Sequence, residues 1–129
     1  MKYKMTSVAL GILLGALGLS SAFAQTQKDV RIKLTCMPNV TCYADYCRRV
    51  EGSAKGAFGG KSFTLSCNAE NDVVSDTTVV KGVTNSSWSV TLDSKPRSVC
   101  NFSGSSLPVD VSCQVSSERG VGALRLEAE

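Results

Sequence analysis

Apolar and polar residues alternate along much of this chain, and a period of two is typical of strands with one buried face. The clearest alternating segments are 30–36, 63–67, 88–92 and 109–115, and weaker ones are 77–84, 97–103 and 121–127. Clusters of Asn, Asp, Ser, Gly and Pro separate them, as turns require. The pattern therefore predicts a mainly β domain, a small antiparallel sandwich or barrel of about seven strands.

One segment has the period of a helix instead. Tyr43, Tyr46, Cys47 and Val50 are spaced at i, i+3, i+4 and i+7, which places them on one helical face. The spacing predicts one short helix over about 41–51, with the tyrosine face packed on the sheet.

Two segments are candidates for partner contact. The stretch 52–60 holds four glycines and predicts a flexible loop, and 94–97 places two basic residues and a proline between two predicted strands. Loops on a rigid scaffold often carry binding residues, although a plain connection or a charged, solvated turn would have the same composition. The candidate binding residues in these segments are Lys55, Phe58, Lys95 and Arg97.

The first residues follow the plan of an export signal. Lys2 and Lys4 precede an apolar run over 8–19, and small residues follow up to Ala24. Twelve apolar residues reach only about 18 Å as a helix, which is short of a bilayer core of about 30 Å. We therefore expect residues 1–24 to be a cleaved signal peptide and 25–129 to be a single domain without an integral membrane segment.

Cleavage changes the charge of the chain. The loss of two lysines lowers the formal net charge from +3 to +1. Nucleic-acid binding requires a clustered basic face, and no such cluster remains in the sequence after residue 24. The sequence therefore argues against nucleic acid as a partner.

All the cysteines lie after the predicted cleavage site: Cys36, Cys42, Cys47, Cys67, Cys100 and Cys113. An even number of cysteines in a small exported domain predicts three disulfides, in the periplasm or outside the cell. Five residues turn a helix by about 500°, so a helix over 41–51 would hold Cys42 and Cys47 on different sides. We therefore expect these two cysteines to bridge elsewhere, at least one of them to a strand.

Other roles for the cysteines lack their usual companions. The chain has no histidine and no C-x-x-C motif, which removes the common zinc sites, a thioredoxin-like centre and a cysteine–histidine nucleophile. Glu70, Asp72 and Asp76 lie close together in sequence and could offer oxygen ligands to calcium, but the EF-hand spacing is missing and a solvated turn explains them. No metal or other cofactor is predicted.

The order Cys67, Trp88, Cys113 resembles the cysteine–tryptophan–cysteine order of immunoglobulin domains. Val111 stands where those domains carry a tyrosine. The resemblance implies an immunoglobulin-like sandwich as one topology. Separately, the position of Trp88 on the apolar face of its predicted strand places it in the core.

By elimination, the leading functional hypothesis is a non-catalytic exported domain that recognises a protein or a cell-envelope component. A first alternative is an inhibitor of an exported hydrolase, which a Cys36–Cys42 bridge around a constrained loop would favour. A second is a small hydrolase that uses two converging carboxylates, and a third is a secreted toxin or effector. Sequons begin at Asn39, Asn85 and Asn101, and they matter only in a host that glycosylates exported proteins.

Overall fold

The computed structural model describes residues 27–43, 45–95, 98–114 and 122–129. The predicted signal peptide lies outside these residues and stays a prediction. The elements are β1 (Lys28–Met37), α1 (Asp45–Arg48), β2 (Arg49–Phe58), β3 (Lys61–Glu70), β4 (Val74–Val83), β5 (Trp88–Lys95), β6 (Ser98–Gly104), β7 (Val109–Gln114) and β8 (Ala123–Ala128).

The described strands form two antiparallel sheets of four strands each, which confirms the predicted mainly β class. Sheet A has the order β4-β1-β8-β7, and sheet B has the order β3-β2-β5-β6. The inward residues of both sheets join in one buried core, so the two sheets pack face to face as a sandwich. Each of the seven predicted strands is present, and β2 is an additional one.

The strand β2 replaces the loop that the sequence predicted over 52–60. It pairs along its whole length with β3 and from Glu51 onward with β5, so it lies inside sheet B. The prediction was wrong because the inward positions Gly52, Ala54 and Gly56 are too small to show the alternation of a strand. The positive φ angles of Gly59 (56°) and Gly60 (83°) form the two-residue turn into β3.

The helix is shorter than predicted. It covers four residues rather than 41–51, because the chain enters the β2–β3 pairing at Arg49. Tyr43 is 84% exposed and precedes the helix, so it does not pack on the sheet. The side chain of Tyr46 lies outside the described part. Within the described residues no helix has the length and apolar character needed to cross a bilayer.

Three disulfides join the six cysteines, as predicted, and two of them connect the sheets. The pairs are Cys36–Cys67, Cys100–Cys113 and Cys42–Cys47. The first two each link a strand of sheet A to a strand of sheet B. Three disulfides of this kind indicate an oxidising, exported environment.

The expectation that Cys42 and Cys47 bridge elsewhere was wrong. Cys42 lies before the first helical residue, so the helical argument does not apply to it, and the two Cα atoms are 6.1 Å apart. The immunoglobulin-type link is also absent, because Cys67 and Cys113 belong to different disulfides.

The two inter-sheet disulfides enclose one close contact between the sheets. Leu124 pairs with Cys36 on one side and with Cys113 on the other, so it lies between the two bridges. Opposite it, in sheet B, lies Gly52, which pairs with Cys67. The bridges hold their Cα atoms 5.9 Å and 6.0 Å apart, whereas packed sheets are usually about 10 Å apart. A large side chain therefore fits here only against a glycine.

We expect Gly52→Ala to destabilise the fold by about 1–3 kcal/mol. An added Cβ would lie 2.5 Å from both Cδ atoms of the fully buried Leu124, and the flanking disulfides prevent the sheets from separating. Urea denaturation of Gly52→Ala, Leu124→Ala and the double variant measures the effect. We expect the double variant to be more stable than the sum of the single changes implies, and strict additivity would contradict a direct contact. Ser53→Ala, on the outward side of β2, is the control.

We expect removal of the disulfides to destabilise the fold in the order of the loops they close. The sequence separations are 31 for Cys36–Cys67, 13 for Cys100–Cys113 and 5 for Cys42–Cys47. The chain-entropy relation then gives losses of about 4, 3 and 2 kcal/mol for the paired Cys→Ala variants. Urea unfolding of the three variants tests the order. A loss on removing Cys42–Cys47 as large as that on removing Cys36–Cys67 would contradict it.

Candidate interaction site

The connection from β1 to β2 crosses from sheet A to sheet B at one end of the sandwich. Residues 38–48 form this connection, which we name the pinned loop; residue 44 and the side chain of Tyr46 are outside the description. Cys42 and Cys47 close the loop upon itself, and both are buried at 2% and 0% exposure. The disulfide thus faces the protein, while Val40, Thr41 and Tyr43 are exposed.

Hydrogen bonds fix the base and the turn of the pinned loop. The N–H of Asn39 donates to the carbonyl of Cys47 at 2.6 Å, and the N–H of Cys42 donates to the carbonyl of Asn39 at 3.1 Å. The side-chain oxygen of Asn39 accepts from the N–H of Thr41 at 3.0 Å and from its hydroxyl at 2.6 Å. Such Asx turns set backbone conformation locally. The loop is therefore ordered by its own contacts before any partner binds.

The pinned loop also rests directly on sheet A. A Cβ atom at Gly122, just before β8, would lie 3.2 Å from the carbonyl oxygen of Cys47 and 3.3 Å from that of Met37. On the other side, the N–H of Asn71 donates to the carbonyl of Arg48 at 3.3 Å. The sandwich thus supports the loop from β8 and from the β3–β4 turn.

Exposed apolar side chains concentrate at this end of the molecule. Tyr43 is 84% exposed and Val40 is 57% exposed, both on the pinned loop. Val73 (63%) and Val74 (39%) lie in and beside the β3–β4 turn, and Val74 pairs with the last residues of β1. Of the six large apolar residues exposed in the described chain, these are four. Single exposed apolar residues are ordinary, but a concentration on an ordered loop is typical of an interaction site.

Charged residues lie at the same end of the sandwich as the exposed apolar ones. Asp45 and Arg48 lie on α1 within the pinned loop. Arg49 and Glu70 form an exposed ion pair of 3.6 Å at the adjoining ends of β2 and β3. An apolar centre with a polar rim is the usual anatomy of a protein–protein interface.

The binding residues predicted from the sequence do not come together. Lys95 is exposed and pairs with Glu51, near the end that carries the pinned loop, whereas Lys55 lies on the outer face of sheet B. Arg97 lies outside the described residues.

Phe58 is only 1% exposed and stacks on Trp88, with ring centroids 6.1 Å apart, so it belongs to the core and not to a contact surface. Trp88 is half-buried against the same core, and its indole N–H donates to the carbonyl of Ser106 at 3.0 Å.

Sequence analysis missed the pinned loop because it assigned Tyr43 to a buried helical face. The spacing of Cys42 and Cys47, preceded by a proline and an asparagine, was the available signal for a small closed turn.

Two carboxylates that face each other across β7 and β8, Asp110 and Glu127, both contact one guanidinium group. Arg125 donates to both carboxylate oxygens of Asp110, at 2.9 Å and 2.7 Å, and lies 3.6 Å from Glu127. The hydrogen bond from Arg125 lowers the pKa of Asp110 below its ordinary value. A carboxyl group held ionised in this way is suited to a structural ion pair and not to proton donation.

Residues considered for calcium binding or glycosylation make local hydrogen bonds in the structure. Among the described residues no three Cys, Asp or Glu side chains are grouped to hold a metal ion. Asp76 instead accepts from the backbone N–H of Ser66 at 3.4 Å. Asn85 accepts from the N–H and the hydroxyl of Ser87, as Asn39 does from Thr41, and Asn101 accepts from the hydroxyl of Thr91.

Comparison of the chain with protein-family models, with curated protein sequences and with solved structures gives no match. Function is therefore inferred from the geometry of the described residues.

We expect the carboxyl group of Asp110 to titrate below the ordinary aspartate value of about 3.9, because Arg125 stabilises its ionised form. The stabilisation is then complete above pH 3.9 and is lost as the pH falls through the lower folded-state value. NMR titration of the side-chain carboxyl carbon measures it. Arg125→Gln should raise the midpoint relative to wild type, and Arg49→Gln, which breaks the ion pair on the other sheet, should leave it unchanged. An identical midpoint in wild type and Arg125→Gln would contradict the assignment.

Proposed function

We propose that this chain is an exported, non-catalytic binding domain that recognises a protein of the periplasm, the cell envelope or the extracellular space. The observation that carries the proposal is the pinned loop, which presents Tyr43 at 84% exposure on a backbone closed by a disulfide. Tyrosine is enriched among the residues that dominate binding energy, since it offers a large rigid surface and a hydroxyl.

The order of the pinned loop supports a binding role. An ordered loop loses little conformational entropy on association, so more of the contact energy appears as affinity. The Cys42–Cys47 bridge is dispensable for joining the sheets, because Cys36–Cys67 and Cys100–Cys113 already do so. A disulfide that adds least to the stability of the sandwich and most to the shape of an exposed loop is consistent with selection for recognition.

The inhibitor hypothesis is the case in which the partner is an exported hydrolase. The disulfides do not pair Cys36 with Cys42, so the bridge that would have favoured this hypothesis is replaced by Cys36–Cys67 and Cys42–Cys47, and Cys42–Cys47 constrains the adjoining turn. Identifying the partner distinguishes an inhibitor from a binding domain of another kind, since an inhibitor would abolish the activity of the hydrolase that it captures.

The test begins with a photo-crosslinking amino acid at position 43, incorporated into the exported protein in its native host. Val99 on β6 provides the control position. Like Tyr43 it is an exposed apolar residue, at 60% against 84%, but it lies on a strand of sheet B and not on the pinned loop. We expect a discrete adduct from position 43 and none from position 99. Equal labelling from both positions would contradict a specific contact at the loop.

The affinity of variants for the partner identified in this way then tests the roles of the Tyr43 side chain and of the Cys42–Cys47 disulfide. We expect Tyr43→Ala to weaken binding by about 30-fold, the usual loss at a hot-spot residue, with Val99→Ala unchanged. Both side chains are exposed, so both variants should retain wild-type thermal stability. We expect Cys42→Ser/Cys47→Ser to weaken binding by about 10-fold through loss of loop order, with the sandwich intact. Full affinity in both loop variants would overturn the proposal.

A further inference from the structure

The outer face of sheet A has an arrangement of charge that the binding loop does not explain. Its two central strands are β1 and β8, and outward residues of opposite charge stand on them. Arg31 and Lys33 project from β1, and Glu127 and Glu129 lie at the facing positions of β8. We name this surface the charged face.

The strand register arranges the charged face in rows across the sheet. One row has Val79 on β4, Arg31 on β1, Glu129 after β8 and Pro108 before β7; the next has Thr77, Lys33, Glu127 and Asp110. In these two rows the β4–β1 half carries the basic residues beside Val79 and Thr77. The β8–β7 half carries the acidic residues and ends at the exposed Pro108 in the first row and at Asp110 in the second.

Several of these charges have no ion-pair partner in the described part of the chain. Among the described residues, Arg31, Lys33 and Glu129 take part in no ion pair within 4 Å, although the acidic and basic residues stand on neighbouring strands. Glu127 is shared with Arg125, which is already bound to Asp110. Val79 is 45% exposed beside them. A shallow depression of about 570 Å³ crosses the four strands at these rows.

We propose that the charged face is a site of self-association, in which two copies pack face to face about a two-fold axis parallel to the strands between β1 and β8. This operation exchanges the two halves of the face and leaves each row in place. Arg31 of one copy then lies opposite Glu129 of the second copy, Lys33 lies opposite Glu127, and Val79 lies opposite Pro108. Each contact occurs twice, as a two-fold interface requires.

The direction of the axis follows from the charges. A two-fold axis across the strands would bring β1 onto β1 of the second copy and place its basic residues against one another. An axis along the strands brings opposite charges together at the centre of both rows. At the flanks it places Val79 opposite Pro108 in the first row and Thr77 opposite Asp110 in the second. Opposite potentials across an interface fix its register and suppress other arrangements.

The size of the face indicates a weak dimer. Four strands about 4.8 Å apart and about six residues long give a surface of roughly 400 Å² per copy before side-chain relief is added. The total buried area is then about 1,000 Å², at the lower limit of specific interfaces, with much bound water. We expect a dissociation constant between about 10 µM and 1 mM at low salt, weakening as the ionic strength rises.

Sedimentation equilibrium of the folded, disulfide-bonded protein tests the proposal. We expect wild type to dimerise in about 50 mM salt. In about 500 mM salt we expect the dissociation constant of the dimer to be at least roughly 10-fold higher. A protein that remains monomeric in low salt up to about 1 mM would overturn the proposal. This measurement uses no variant and so does not depend on whether the variants fold.

Two charge-reversed variants then test the face itself. Arg31→Glu/Lys33→Glu makes the central positions of both rows acidic, and Glu127→Lys/Glu129→Lys makes the same central positions basic. We expect each variant alone to be monomeric, because like charges then oppose one another across the axis. An equimolar mixture of the two should regain a heterodimer, since every row becomes complementary again.

The mixture separates contacts between copies from contacts within one copy, because no intramolecular ion pair is restored by mixing. The matched control is Lys55→Glu/Lys95→Glu, which makes the same change in net charge on the central strands of sheet B and should dimerise as wild type does. Failure of the mixture to associate, or loss of the dimer in the control, would overturn the proposal. Thermal melts of all variants confirm that each is folded.

Discussion

The two disulfides that join the sheets are the constraint on which the rest of this structure depends. Cys36–Cys67 and Cys100–Cys113 hold strands of opposite sheets closer than apolar packing alone would, and Leu124 lies between them. A small domain buries a modest share of its surface, so covalent links contribute a large part of its stability. The requirement for Gly52 opposite Leu124 follows from this closeness.

The same scaffold separates stability from recognition. The inter-sheet disulfides stabilise the core, while Cys42–Cys47 orders an exposed loop at one end. Loops that carry binding residues need a rigid support and freedom in sequence, and this division provides both. The charged face lies on a side of the sandwich that the pinned loop does not occupy, so pairing of two copies through sheet A would leave both loops available. Two loops on one dimer would then raise the effective affinity for a repetitive or multivalent partner.

The candidate site was less predictable than the fold, because the spacing of apolar residues within one segment does not show which of them stay exposed. Tyr43 fits a helical face in sequence, yet the strand pairing that begins at Arg49 ends the helix after four residues and leaves Tyr43 in solvent. Phe58 was expected on a mobile loop, yet it closes an inward row of small residues and enters the core. In both cases hydrogen bonding between distant strands outweighed local propensity.

The sequence by itself determined the mainly β class, the position of seven strands and the presence of disulfides, because alternation and cysteine content are properties of single segments and of composition. Only the tertiary structure decided which cysteines pair, that a glycine-rich segment is the central strand β2, and which side chains stay exposed. Those outcomes depend on which strands become neighbours. A row of glycine and alanine becomes a strand interior only when a residue such as Leu124 from the opposite sheet fills the space in front of it.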